Sequence, residues 1–259
     1  MIGWQVCSSK GIAEMARHLL LRLYAPLTAF GGETIDEHGV TREFPALSMV
    51  TGLIANALGW DRGECERHDR LQARLRMGAR RDLEPRHLRD YQTAQLFEDD
   101  RGWTTLGVPE GRKKSPSYSA QANGRKALTQ QRYRDYHADL HTLIALRLEP
   151  ADEAPTLDAI AAAIDRPARP LFIGRKPCMP AARLMAGWCE AEHVLGALRQ
   201  APRADREASR VLMQWPDGEG TLPGDRVFDL CDERNWVSGV HGGWRPVREG
   251  SIGVEEAQP

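Results

Sequence analysis

The stretch REFPALSMVTGLIANALGW, Arg42 to Trp60, decides how the chain is read. Val50, Leu53, Ile54, Ala57 and Leu58 recur at the three- and four-residue spacing that gathers them on one side of a helix. Pro45 stands at its start, where a fixed φ and a missing N–H are tolerated, and Gly59 stands at its end. Gly52 and Ala55 are small, which lets the helix lie close to a sheet or to a ligand backbone.

Upstream, RHLLLRLYAP (Arg17 to Pro26) is a Leu-rich run closed by Pro and reads as a buried strand. The Gly pair in the following TAFGGET marks a sharp loop. Downstream, GECERHDRLQARLRMGARRD predicts a more polar helix and then a strand near Arg76 to Arg80. HTLIALRLE predicts a strand, and TLDAIAAAID a helix opened by Thr156. RPLFIGRKPCMP predicts a strand running into a Gly-Arg-Lys turn, and AEHVLGALRQ a helix. ASRVLMQW, DRVFDL and NWVSGV are further strand candidates. This order suits an α+β fold: an RRM- or ferredoxin-like domain with an inserted arm and a smaller β-rich C-terminal part. The boundaries expected are 17–80 and 140–187 for the body, 81–139 for the insertion and 188–252 for the C-terminal part. Loose tails are expected at 1–16 and 253–259.

Composition narrows the function. The net charge of -1 and 41% hydrophobic residues suit a folded protein that does not coat nucleic acid with its whole surface. No apolar run approaches the roughly 20 residues of a membrane span, and the first residues lack the pattern of a signal peptide. The five Cys are scattered with no CxxC, so neither a disulfide framework nor a zinc site is expected, and a reducing cytoplasm is the natural setting. P-loop, GxSxG and HExxH motifs are absent, and no cofactor is implied.

Three stretches hold candidate chemistry. From Gly111 to Arg134 the chain carries seven Lys or Arg and no Asp or Glu, with Tyr118 and Tyr133 between the charges. Cations neutralise phosphates and aromatic rings stack on unpaired bases, so single-stranded RNA suits this mixture; a solvated basic loop suits it as well. In IGRKPCMP, Arg175 and Lys176 sit where a turn can grip phosphates or simply expose its charges. Ser48 at the start of the helix can help bind an anion there or simply cap the helix. A metal-independent ribonuclease would need a general base near a ribose 2′-OH and a general acid opposite. His87, His137, Tyr133 and Lys176 are available, but their spacing selects none of them.

In order, LLLRLYAPLTAFGG, REFPALSMVTGLIANALGW, RDYQTA, RYRDYHAD and IGRKPCMP resemble the CasD family, the type I-E CRISPR Cascade subunit that caps the 5′ end of the guide RNA. The resemblance covers about residues 17 to 180 and continues weakly into VFDLCDERNWVSG. It implies an RRM-like body with a protruding β-hairpin thumb. It also implies a non-catalytic RNA-binding role: holding the 5′ repeat-derived handle and joining the backbone subunit to the large PAM-reading subunit. Target DNA would be met only through that complex. The RNA-contacting residues implied are Ser48, Arg112, Lys113, Lys114, Arg132, Tyr133, Arg134, Arg175 and Lys176. A relative in another subtype cuts the repeat RNA itself, so a metal-independent endoribonuclease that matures guide RNA is the alternative.

Overall fold

RHLLLRLY has Leu at consecutive positions 19–21 rather than at alternate ones because the middle of its strand is covered on both sides. A computed structural model describes residues 15–97, 102–103, 109–110, 119–120, 126–205 and 210–253. In it β1 (Ala16–Tyr24) turns Leu19, Leu21 and Leu23 into one hydrophobic cluster and Leu20 into another on the opposite face. Short strands β2 (Leu27–Thr28), β3 (Thr34–Ile35) and β4 (His38–Gly39) follow, then α1 (Leu47–Ala57), α2 (Cys65–Arg74) and β5 (Leu75–Arg81). Next come β6 (Arg86–Phe97), the two-residue strands β7 (Gly102–Trp103), β8 (Pro109–Glu110) and β9 (Ser119–Ala120), and β10 (Lys126–Ala138). The chain continues as β11 (His141–Leu148), α3 (Leu157–Asp165), β12 (Met185–Ala191), α4 (Val194–Gln200), β13 (Arg210–Pro216), β14 (Arg226–Leu230) and β15 (Arg245–Gly253).

The main sheet has the order β12-β1-β11-β5-β13-β15-β14, antiparallel throughout. Its first four strands, with α1 and α3, follow the βαββαβ order of a ferredoxin-like unit. Val50 and Ile54 of α1 are fully buried with Ile144 and Leu146 of β11 in the first cluster. Each such side chain contributes roughly 1.5–3 kcal/mol. On the other face α4 buries Val194 and Leu198 with Leu143, Ala145 and Met213. Gly78 of β5 permits this approach, since a Cβ there would lie 2.7 Å from Val194 Cγ1. Arg80, wholly buried, closes the C-terminal end of α4 by donating to the carbonyls of Leu198, Ala201 (2.8 Å) and Pro202 (2.7 Å).

The insertion is a long hairpin. β6 and β10 pair from Arg86↔Ala138 to Phe97↔Ala127. β4 pairs in parallel with β10 beside Tyr133 and Arg134.

Two expectations are corrected. RPLFIGRKP forms no strand: Ile173 N–H donates to Cys178 C=O (2.8 Å) and Cys178 N–H to Arg175 C=O (2.9 Å), closing a compact loop. The fourth strand of the unit is β12 instead, at the edge of the sheet and spanning the expected boundary at 187. NWVSGV is a turn, because the Asn235 carboxamide oxygen accepts from the N–H groups of Val237 (3.1 Å) and Ser238 (2.8 Å). The β-rich C-terminal part extends the main sheet: β13 pairs with β5 and carries it onward into β15, which runs to Gly253.

Candidate nucleic-acid interface

Residues two apart on a strand share a face, so the hairpin register decides which side chains meet. On one face Tyr133 lies opposite Tyr91, Asp135 opposite Arg89 and His137 opposite His87. The Tyr91 and Tyr133 rings are 5.2 Å apart. Tyr133 N–H donates to Glu37 C=O (2.9 Å), and the parallel pairing with β4 brings His38 against Tyr133. The His38 and Tyr133 rings stack at 4.8 Å with 11° between their planes. Tyr91 is 51% exposed, so this row of rings opens to solvent.

Arg89 grips Asp135 with two hydrogen bonds of 2.7 and 3.2 Å. That bond, helped by the positive charge of Arg175, holds the Asp135 carboxyl below its ordinary value against a weaker opposing effect of burial. The row therefore carries an ionised, already paired carboxylate rather than a proton donor at neutral pH.

The loop at Gly174 supplies the cations. Gly174 has φ +82°, and a Cβ there would sit 1.6 Å from Ala29 C=O, so only glycine fits. This fixes the next residue, Arg175, whose guanidinium lies 4.8 Å over the Tyr136 ring and donates to Asp135 C=O and Gly39 C=O, both at 2.8 Å. A Cβ on Gly39 would come within 2.9 Å of Arg134 Nη1 and 3.2 Å of Arg175 Nη2, so both guanidinium groups pack on that glycine. Lys176 is exposed beside them, and Arg132 donates to Gln131 C=O (2.7 Å).

Tyr133 thus stands with His38 on one face of the hairpin, while Arg134 and Arg175, packed on Gly39, stand on the other, with Arg132 on the same side as Arg134 and Lys176 next to Arg175 in the 173–178 loop. Arg175 is half-committed, because part of its fork already holds backbone carbonyls. Ser48 belongs elsewhere. The cap of α1 is Ala46, without a side-chain hydrogen bond, and Ser48 is buried. The helix end is given to Asp232: its carboxylate accepts from Leu47 N–H (2.8 Å), its carbonyl from Ser48 N–H (3.1 Å), and Arg245 pairs with it at 2.7 Å. Helix end and carboxylate satisfy one another, which leaves Ser48 no free N–H to offer a phosphate. Arg112, Lys113 and Lys114 lie outside the described residues.

Two members of this surface escape a reading of the sequence. Tyr91 is visible only as one letter of RDYQTA, and His38 belongs to a two-residue strand with no periodic signal. Neither shows its neighbour without the hairpin register.

His137 bears on the ribonuclease alternative. Burial lowers its pKa, so the ring is neutral at pH 7. Its Nε2–H donates to Arg42 C=O (2.9 Å), which makes Nδ1 the lone-pair nitrogen, and that atom is buried. A base that faces the protein interior has no access to a ribose hydroxyl. Among the described residues no cluster of His, Cys, Asp or Glu is arranged to hold a metal ion, and no helix is long and apolar enough to cross a membrane.

The model of the CRISPR-associated protein (Cas_Cas5) family matches residues 18–248. The chain belongs to this family. The CRISPR system Cascade subunit CasD of Escherichia coli (strain K12) is 27% identical over 184 residues, covering 71% of this chain and 76% of that protein. A chain of a solved "CRISPR RNA-guided surveillance complex" shares the fold at TM-score 0.60 and 21% identity, covering 91% of this chain and 89% of the other. A "Crystal structure of Cas protein" does so at TM-score 0.57 and 23% identity, covering 93% and 97%. The Cas_Cas5 match takes in both long hairpin strands, the Gly174 loop, β5, β11 and β12, and β1 from His18 onward.

Proposed function

We propose that this Cas_Cas5 chain is a non-catalytic RNA-binding assembly subunit of a type I-E CRISPR Cascade complex. It caps the 5′ repeat-derived handle of the guide RNA and links the backbone subunit to the large subunit. The observation that carries this reading is the open row Tyr91, Tyr133 and His38 on one face of the hairpin, with Arg134 and Arg175 packed on Gly39 at the other face of the same strand. Flat rings receive unstacked bases and cations receive phosphates, so a single strand is held by shape and charge without bond chemistry. Likeness to a Cascade subunit supports the assembly role. The buried lone pair of His137 weighs against the endoribonuclease alternative.

The test is co-expression with the neighbouring CRISPR proteins and a CRISPR array, purification through a tag on this chain, and sequencing of the bound RNA. RNAs sharing one repeat-derived 5′ end, in a complex of several proteins, are expected. Correctly trimmed RNA in the absence of the dedicated processing subunit would make this chain the nuclease. Absence of RNA in both preparations would remove the RNA-binding role.

A further inference from the structure

On the sheet face that carries α4, a cavity of about 390 Å³ opens beside the C-terminal end of that helix. This lies within the range of small-ligand sites, roughly 300–1,000 Å³. Leu20, Leu143 and Ala201 give it an apolar floor. Tyr24 and His141, register partners at the ends of β1 and β11, form one wall, their rings 3.8 Å apart and 31° from parallel. Arg22 and Arg203 line it as well.

Charge shows what such a space would take. The carboxylate that lines the cavity, Asp82, is already held by Arg80 at 2.5 and 3.1 Å and by Ala204 N–H at 3.0 Å. Arg22 and Arg203 therefore leave the cavity positive. An apolar floor, a wall of two tilted aromatic rings and two cations together describe a site for an anion with a flat body. The position adds to this. Asp82 N–H donates to His141 C=O (2.9 Å) where the hairpin leaves the sheet, so the strand carrying Tyr133 leads straight to the cavity.

We infer that this cavity is a second RNA site, which takes one unstacked nucleotide of a single strand, its base against the Tyr24–His141 wall and its phosphate at Arg22 and Arg203. The inference rests on the RNA-binding reading above, and the experiment separates the two. The full chain, purified with RNA containing 4-thiouridine, is irradiated and the adducts are mapped by mass spectrometry. Adducts on the segments holding Tyr24 or His141, besides those at Tyr91 or Tyr133, are expected. Adducts at the hairpin alone overturn the second site and leave the proposed function standing; adducts at neither place overturn both. Because Arg203 also donates to Gly253 C=O (3.2 Å) and its replacement can disturb the fold, the exposed Arg22 is the cleaner variant. Arg22→Gln should lower adduct yield at the cavity roughly tenfold, the scale of one charge-assisted hydrogen bond, with the yield at Tyr133 unchanged. An unchanged yield at the cavity overturns the assignment.

Discussion

The Tyr133 ring lies flat on the His38 ring, 4.8 Å away, although the two residues are far apart in the chain and meet only because β4 pairs in parallel with β10. The stack is built before any ligand arrives, so a base added to it loses no ring freedom of the protein. Base–aromatic stacking is worth about 1–3 kcal/mol by alanine substitution. Tyr133→Ala should therefore weaken binding of single-stranded RNA by roughly fivefold to a hundredfold, and Tyr133→Phe should retain most of it. Fluorescence anisotropy with a labelled oligonucleotide measures both; equal affinity of the alanine variant and the parent removes the stacking row as the site.

Arg175 and Lys176 are adjacent in sequence but differ in task. Arg175 ties Asp135 and Gly39 together through their carbonyls, whereas Lys176 stands exposed. Arg175→Ala should lower the thermal midpoint as well as RNA affinity, and Arg175→Lys should not restore it, because an ammonium has no planar fork. Lys176→Ala should keep the midpoint and reduce the slope of log affinity against log salt by about 0.7. A Lys176→Ala protein with an unaltered slope would show that this lysine meets no phosphate.

Gly174 can be tested alone. Gly174→Ala combines a left-handed backbone with a Cβ aimed at Ala29 C=O, and the loop must move to make room. A loss of about 3 kcal/mol or more is expected from urea unfolding. RNA affinity should fall with it, since the loop places Arg175. A variant of parental stability would mean that the loop is not pinned against residue 29.

The start of α1 separates capping from RNA contact. Asp232→Ala would leave Arg245 and the first N–H of the helix without their buried carboxylate, at a cost of about 3–5 kcal/mol. Ser48→Ala should leave RNA affinity unchanged. A clear loss of affinity in a folded Ser48→Ala protein would return that residue to the interface.

Acid should weaken the fold in two stages. Burial lowers the pKa of His18, His137 and His141 from the ordinary 6.5. The unfolded chain then binds protons first as pH falls, so stability is full above about 6.5 and declines below it. Asp135 and Asp165, held low by hydrogen bonds from Arg89 and Arg183, add their loss only as pH drops below about 3.8. Urea midpoints at pH 7.5, 6.5 and 5.5 read the first stage; a flat midpoint across that range would mean that the three rings are not buried as neutral groups.

The parts of the fold that show in the sequence are those whose burial is local. The α1 stretch, the Leu run of β1 and HTLIALRL each carry their own periodicity or continuous apolarity. β12 does not, because as an edge strand it is half-buried along nearly its whole length and shows no alternation. β15 contains Pro246, Gly250 and Gly253, which read as breakers, yet it is held between β13 and β14 by tertiary pairing. The site divides in the same way. Tyr133 and Arg134 stand out by composition, whereas Tyr91 and His38 join them only through pairings between distant strands. Ser48 looked like a cap because Asp232, the actual partner of the helix end, lies far along the chain.

The hairpin springs from the middle of the sheet. β5 passes through residues 82–85 into β6, β10 returns through 139–140 into β11, and β5 and β11 are hydrogen-bonded neighbours with β1 on one side and β13 on the other. Mechanically this is a cantilever clamped at its centre. A pull on the arm along the strands cannot peel an edge, but must slide β5 and β11 together past both flanking strands, loading many hydrogen bonds at once. A sideways push at the arm is likewise delivered to the two strands that lie between α1 and α4. Whatever grips the hairpin takes hold of the two central strands of the sheet.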